Sequence, residues 1–255
     1  MATYKKKYKP EGKKAEQQAE EMDSTTAEVF NTLDETASKS EQWIEKNSKV
    51  LFGALIAVVV VFLAFLGYNK YIVEPNELEA SNELAFPRKY FDEAATAGSG
   101  IDSLLNLGLE GADGNYGFLD VADAYSGTDA GNLANYYAGV SYLQMKQYDK
   151  AIEYLSKFNS DNAVLNAVSL GAIGDAFSDI DQQEDALEYY EKAANVESNE
   201  FTTPLFLYKS AQTAMLLKDF DKAENMFSII KEKYPTSDQG KDIDKFINAA
   251  KYAKN

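Results

Sequence analysis

Cysteine and histidine are both absent from the sequence of 255 residues. Without them the chain has no disulfide, no thiolate nucleophile and no imidazole for acid–base chemistry, and nearly all zinc and haem ligation is excluded. Basic residues are few as well, since 25 lysines and arginines face 41 aspartates and glutamates and leave a net charge of −16. A surface this acidic repels phosphate groups. We therefore expect no cofactor, no metal and no nucleic-acid partner.

Catalytic motifs are missing too. The sequence contains no GxSxG, P-loop or GxGxxG pattern. Two acidic segments, Asp113–Asn115 and Ser178–Asp185, fail the pattern of a calcium-binding EF-hand, because Phe118 and Glu184 stand where glycine is required. Carboxylate pairs carry no information in a chain with 41 acidic residues. The sequence gives no support for an enzyme or for a small-molecule substrate.

One long apolar run is present, Val50–Tyr68, with the sequence VLFGALIAVVVVFLAFLGY. As a helix rising about 1.5 Å per residue it would span roughly 28 Å, close to the ~30 Å hydrocarbon core of a bilayer. A buried helix of a soluble protein is the alternative, but such helices rarely continue for five turns without a polar stripe. We predict a transmembrane helix at residues 50–68, in contact with the lipid bilayer.

Lysines near this run indicate its orientation. Lys39, Lys46 and Lys49 precede it and only Lys70 follows it closely, so the positive-inside rule keeps the N-terminal side in the cytoplasm. A cleaved signal peptide fits poorly, because the leader would be long, the apolar core exceeds the usual length and no small-x-small cleavage pattern follows. We expect an uncleaved signal anchor, with the larger C-terminal part on the far side of the membrane.

The N-terminal tail, residues 1–49, is charged and poor in apolar residues. Residues 1–22 have almost nothing to bury, so we expect them to be disordered. Thr25 and Glu28 match a capping box that would open a weak helix. The preferred interpretation is a juxtamembrane helix continuous with the membrane span, and a cytoplasmic docking motif is the alternative.

Downstream of the span the sequence repeats itself with a period near 34 residues. The segments YDKAIEYLSKF, QEDALEYYEKA and FDKAENMFSII align on Ala151, Ala186 and Ala223. About twelve residues before each alanine stands a small residue, and four residues after each stands a large one. These are Gly139, Gly174 and Ala211, and then Leu155, Tyr190 and Phe227. Small residues let two antiparallel helices approach closely, and large ones fill the space to the next unit.

This pattern is similar to the tetratricopeptide repeat, and the resemblance implies an all-α helical solenoid with units at 132–165, 167–200 and 204–237. Before the units, a helix over Asn76–Ala97 contains Pro87, which should kink or break it. Short helical pieces around Leu104–Leu105 and Phe118–Ala124 follow, and we interpret them as a degenerate first repeat. The predicted division is a cytoplasmic tail at 1–49, a transmembrane helix at 50–68, a linker helix and degenerate repeat at 69–130, three repeats at 131–237 and a C-terminal capping helix at 238–255.

Arrays of this kind usually bind partners in a concave groove, formed by the outward side of the first helix of each unit. The projected residues are Leu133, Tyr136, Val140 and Leu143 from the first unit, Val168, Asp175 and Asp179 from the second, and Tyr208, Gln212 and Met215 from the third. The predicted surface is apolar and aromatic with an acidic middle. Tetratricopeptide domains that clamp a peptide carboxylate carry Lys, Arg and Asn where Asp175 and Asp179 stand, so that mode is not expected. The alternative is that the tyrosines pack against a neighbouring helix and no peptide binds.

The whole order resembles the YfgM-type ancillary subunit of the bacterial Sec translocon, and more closely other membrane-anchored tetratricopeptide proteins of the same build. The segments that carry the resemblance are EQWIEKNSK before the span, GNLANYYAG (Gly131–Gly139), GAIGDA (Gly171–Ala176) and NEFTTPLFLYKSA (Asn199–Ala211). The resemblance implies an inner-membrane subunit with a periplasmic domain, held near the translocon subunits. Its partner would be a periplasmic chaperone or a membrane-anchored prolyl isomerase. The longer tail and the glycine-rich insert at 98–117 depart from that type and leave the partner's identity open.

Two functional hypotheses follow from these features. The first is a scaffold or adaptor whose groove engages a partner or unfolded exported clients. The second is a passive structural subunit of another cell-envelope complex, which serves secretion, division or outer-membrane assembly. A regulator that senses a signal through its cytoplasmic tail is a third hypothesis, and it depends on the tail alone.

Overall fold

The structure, a computed structural model, describes residues 43–254. Every regular element within that range is a helix, so the predicted all-α fold is confirmed. The described residues divide into two units, 43–68 and 69–254. The expectations for residues 1–22 and for the capping box at Thr25 and Glu28 lie outside the described residues.

In the first unit, residues 43–68 form helix α1. Within the described residues one helical stretch, Trp43–Thr96, is long and apolar enough to cross a membrane. Its most apolar segment of 18 residues has a mean hydropathy of 3.0, and none of that segment is buried. A core helix of a soluble protein would have these side chains covered.

The second unit opens with a π-helical turn, Asn69–Val73, and then α2, Glu74–Thr96. Pro87 lies inside α2 and does not end it, so the expected break does not occur. Pro87 is buried, and a Cβ added at Gly108 of the next helix would lie 3.2 Å from the Pro87 carbonyl oxygen. Close packing at Gly108 therefore holds α2 on both sides of the proline and outweighs its local preference.

Two short helices follow, α3 at Ile101–Glu110 and α4 at Phe118–Ala124. The loop between them is tight, because a Cβ at Gly117 would collide with the backbone of Leu109 and Gly111. An aromatic cluster joins α2, α4 and the helix after them. The Phe91 and Phe118 ring centroids lie 5.0 Å and 5.1 Å from that of Tyr137.

The remaining helices form three antiparallel pairs and one terminal helix. They are α5 Asp129–Gln144 and α6 Tyr148–Lys157, α7 Ala163–Asp179 and α8 Gln183–Ala194, α9 Thr202–Leu216 and α10 Phe220–Lys233, and finally α11 Ile243–Ala253. We call α5, α7 and α9 the A helices and α6, α8 and α10 the B helices.

The turn inside each pair has the same geometry. Lys146, Asp181 and Lys218 occupy the left-handed region with φ of 59°, 64° and 63°. In each turn the next amide donates to a carbonyl five residues back, as Gln147 N does to Tyr142 O at 2.8 Å. The amide of the left-handed residue itself donates three residues back, as Lys146 N does to Leu143 O at 3.0 Å. This is the Schellman arrangement, which satisfies the last carbonyls of an A helix and starts the B helix at a fixed angle.

The small and large repeat residues lie where the A and B helices meet. Ala151, Ala186 and Ala223 are completely buried. A Cβ at Gly174 would lie 2.7 Å from the Tyr190 ring, closer than such contacts occur. The pairs therefore depend on the small residues in the way that the sequence pattern indicates.

The curvature of the array follows from contacts between repeats. The A helices touch one another, α5 with α7 and α7 with α9, whereas no contact of similar extent joins α6 with α8 or α8 with α10 among residues 43–254. Helices that are closer together lie on the inside of a curve. The A helices therefore line the concave side.

Helix α11 closes the C-terminal end. Its Ile243, Ile247 and Ala250 are buried against the last repeat. The helix begins at Ile243 rather than at Asp238, because turns occupy much of the intervening segment.

Candidate functional site

The A-helix face is the surface formed by the residues that the repeat register projects into the groove. All of them lie on α5, α7 and α9, and all are at least partly accessible to solvent. They are Leu133, Tyr136, Val140 and Leu143 on α5, Val168, Asp175 and Asp179 on α7, and Tyr208, Gln212 and Met215 on α9. What each side chain contacts decides what the face can bind.

On α5 the projected residues mainly support the fold. The Tyr136 ring centroid lies 5.2 Å from that of Phe158 and 5.7 Å from that of Tyr137. Burial, with a smaller contribution from Tyr137, raises the pKa of Tyr136. Leu133 and Leu143 pack against the buried core of the first repeat. The side chains on this part of the face are half-buried and pack against the protein itself.

On α9 Tyr208 is held in a similar way. Its ring centroid lies 5.1 Å from that of Phe246 on α11 and 5.8 Å from that of Phe227 on α10. Gln212 donates a hydrogen bond of 3.2 Å to the Tyr208 hydroxyl. Burial raises the pKa of Tyr208. Tyr136 and Tyr208 thus both make the neighbour-helix contacts that the alternative interpretation expects.

One of the two carboxylates in the acidic middle of the face is paired with a cation. Asp175 accepts hydrogen bonds from Lys209 Nζ at 2.6 and 2.8 Å and from the Tyr190 hydroxyl at 2.6 Å. Burial first, and then the hydrogen bond to Asp175, raises the pKa of Tyr190 far above its ordinary value. The Asp175 carboxylate is therefore already engaged within the protein. The ion pair ties α7 to α9.

Asp179 differs from Asp175 because it is exposed. Burial first, and then the neighbouring Asp179 carboxylate, raises the pKa of Tyr148. Lys209 was missed by the sequence reasoning, although one signal was present. Lys209 is a basic residue that follows Asp175 by 34 residues, which is one repeat length.

A pocket of about 510 Å³ opens at the C-terminal end of the face. We call it the groove pocket. Its walls come from α9 (Lys209, Gln212, Thr213, Met215 and Leu216), from Ser178 and Tyr190, and from Phe227, Phe246 and Ala249. Leu216 is 67% exposed at this pocket. The volume and the mostly apolar walls suit an inserted apolar side chain, with the amide of Gln212 available for a polar contact. Phe246 was not among the predicted groove residues, because its position depends on how α11 docks. Leu216 lies on α9 next to the predicted Met215 and was not projected onto the face.

Comparison with known families agrees with this geometry. Residues 133–162 and 206–237 match one model of the tetratricopeptide repeat, and residues 167–200 match another. Each matched range covers most of one A–B pair. No curated protein and no solved structure matches the chain. The chain therefore carries three tetratricopeptide repeats, which indicate a scaffold for protein–protein interaction.

Proposed function

We propose that this tetratricopeptide-repeat protein is an inner-membrane-anchored scaffold or adaptor associated with the Sec translocon. It assists periplasmic chaperones or exported clients by binding proteins, and it is not an enzyme. The observation that carries the proposal is the combination of three repeats with one apolar helix whose most apolar segment is unburied. The translocon association is supported by the resemblance in element order and in the four sequence segments named above.

The anchor is residues 50–68, with the tail in the cytoplasm and the repeats in the periplasm. The apolar side chains of residues 50–68 contact no other part of the described protein, as the exposed Val61 and Phe62 illustrate. Lipid would cover these side chains. The lysines before the span support the orientation, since basic residues remain on the cytoplasmic side.

The groove pocket is the part of the A-helix face best suited to a partner. Tyr136 and Tyr208 already pack against other side chains of the protein, and Asp175 is paired with Lys209. These three residues therefore have little free surface for contact with a partner. Leu216 and Met215 instead present apolar surface at the pocket. The adaptor would accept an apolar side chain of its partner here.

Crosslinking in native membranes tests this proposal. The tagged full chain is crosslinked, solubilised gently, purified and its partners identified by mass spectrometry. We expect translocon subunits and periplasmic folding factors, and we expect Leu216→Asp to deplete at least one of them. Leu78→Asp is the matched control, because Leu78 is 66% exposed on α2 and lies outside the pocket. Recovery of a different envelope complex without the translocon would contradict the assignment.

A passive structural subunit of another envelope complex is the second candidate. The packed state of Tyr136 and Tyr208 favours it, because a spacer needs no open binding groove. The two functions differ in one property. An adaptor in detergent micelles should bind an unfolded polypeptide and lose that binding in Leu216→Asp, whereas a spacer should bind none.

A further inference from the structure

A second cavity lies away from the groove pocket, at one edge of the array. It has a volume of about 990 Å³ and lies between the end of α4, the first half of α5, the end of α6 and the start of α7. We call it the edge cleft. Leu133 is the only residue of the predicted A-helix face that lines it.

The lining of the edge cleft combines apolar and acidic side chains. Leu119, Leu133, Phe158 and Leu165 are half-buried and give it apolar surface. Asp123, Asp129 and Asp161 are exposed at the cleft, and no lysine or arginine in the described part of the chain pairs with any of them.

One cation lines the cleft, Lys157, and its charge is already engaged. Its Nζ lies 2.7 Å from Glu153 Oε1 and 4.4 Å from the Tyr154 ring centroid. The cleft therefore carries an uncompensated negative charge beside a few apolar side chains, within a lining that is otherwise polar.

The wall on the α7 side is fixed in place by hydrogen bonds. Asn132 Nδ2 donates to the Asn159 carbonyl at 2.6 Å, and the Asn159 amide donates back to Asn132 Oδ1 at 3.0 Å. The side chain of Asn162 caps α7 by accepting from the Leu165 amide at 3.0 Å. Because the loop from α6 to α7 is held at both ends, the cleft is formed before any partner arrives, and little ordering is required on binding.

We propose that the edge cleft binds a segment of polypeptide in which lysine or arginine side chains flank apolar ones. The apolar side chains contact Leu119, Leu133 and Phe158, and the cationic groups approach the carboxylates of Asp123 and Asp161. Charge complementarity selects this partner over an acidic or a purely apolar one. The site is separate from the groove pocket and does not depend on its function.

Peptide binding to the full chain in nanodiscs of zwitterionic lipid tests the proposal. The probe is a short fluorescent peptide that alternates lysine and leucine, compared with one in which glutamate replaces lysine and one in which serine replaces leucine. We expect the lysine–leucine peptide to bind best and to bind more weakly as salt is raised. Equal binding of the lysine–serine peptide would overturn the proposal, because the apolar lining would then contribute nothing.

Paired variants locate the binding. Asp123→Asn with Asp161→Asn removes two cleft charges without changing side-chain size, and we expect the Kd to rise about three- to tenfold. Asp102→Asn with Asp149→Asn removes two exposed charges outside the cleft and should change the Kd less than about twofold. Equal losses in both pairs would show attraction to the net acidic surface alone. Loss in Leu216→Asp but not in the cleft pair would place the peptide in the groove pocket, and either result overturns the proposal.

Discussion

The two ends of the repeat array are closed in different ways. At the N-terminal end α2 packs on the first repeat through the aromatic cluster of Phe91, Phe118 and Tyr137. At the C-terminal end α11 packs through Ile243 and Ile247 and through Phe246, whose ring centroid lies 5.1 Å from that of Tyr208 and 5.5 Å from that of Phe227. Both closures use aromatic rings, but the first is assembled from helices separated by a glycine-rich loop, whereas the second is added by one regular amphipathic helix.

Polar contacts at the two ends differ as well. Glu77 of α2 accepts hydrogen bonds from the amides of Asp129 and Ala130 at 2.8 and 3.0 Å, so it caps α5 from outside. At the other end Lys254, the residue after α11, pairs with Asp221 and Glu224 of α10. A carboxylate that accepts hydrogen bonds from backbone amides needs only one ordered side chain, whereas an exposed ion pair needs two. The N-terminal closure should therefore be the more robust of the two.

The largest expected effect comes from the aromatic cluster. Phe118 is completely buried and Ile247 is 6% exposed. Phe118→Ala should lower the free energy of unfolding by about 3–5 kcal/mol and Ile247→Ala by about 2–4 kcal/mol, because the larger side chain leaves the larger cavity. Denaturant unfolding of the full chain in detergent, followed by circular dichroism, measures both. A smaller loss for Phe118→Ala than for Ile247→Ala would reverse the ranking of the two ends.

The interior of the array, between the two closures, is tested by overpacking. Gly174→Leu places a side chain against the Tyr190 ring, and Ala186→Leu enlarges a completely buried residue of the same pair. Each change should cost about 1–3 kcal/mol, measured by the same unfolding experiment. If neither variant shifts the midpoint, the assigned repeat register is incorrect.

The outside cap on α5 should contribute less. Glu77→Gln keeps the shape of the side chain but removes the charge that favours a helix N-terminus, so we expect a loss of about 0.5–1 kcal/mol. Glu74→Gln is the control, because Glu74 lies one turn earlier on α2 and pairs with Lys70 rather than with α5. Faster amide exchange in the first turn of α5 is the specific readout. Equal exchange in the two variants would show that Glu77 does not act as a cap.

The smallest effect concerns the C-terminal ion pairs and depends on pH. The hydrogen bond from Lys254 is the main cause that lowers the pKa of Glu224 below its ordinary value of 4.5. A lowered pKa means that stabilisation is complete above that ordinary value and is lost as the pH falls through the lower value of the folded protein. We expect amide exchange in α11, corrected for its intrinsic pH dependence, to rise over that acid range. The rise should be weaker in Lys254→Gln, and an unchanged profile in that variant would contradict the coupling.

Sequence periodicity anticipated features that recur in every repeat. The spacing of Gly174, Ala186 and Tyr190 reflects contacts within one helix pair, which form between residues close in the chain and so leave a local pattern. The helix at Phe118–Ala124 was also placed correctly from its short apolar segment between glycines.

Contacts between one repeat and the next, and between the helices before the repeats, were not predicted from the sequence. The pairing of Asp175 with Lys209 depends on how far α9 is rotated against α7, which no single repeat encodes. The continuity of α2 through Pro87 depends on its packing at Gly108 of α3. The groove pocket and the edge cleft are likewise assembled from several helices each. A pattern along one helix therefore identified the A-helix face but not which of its residues were free to bind.

The most direct test of the account is the side of the membrane on which the repeats lie. Because the chain has no cysteine, Thr236→Cys at the end of the last repeat and Ser24→Cys in the tail give single reporters in otherwise unchanged protein. A membrane-impermeant maleimide should label Thr236→Cys in cells whose outer membrane alone has been permeabilised, and should label Ser24→Cys only after lysis. Labelling of Ser24→Cys but not of Thr236→Cys before lysis would contradict a periplasmic scaffold held by residues 50–68. Labelling of both variants while the inner membrane is intact would contradict it as well.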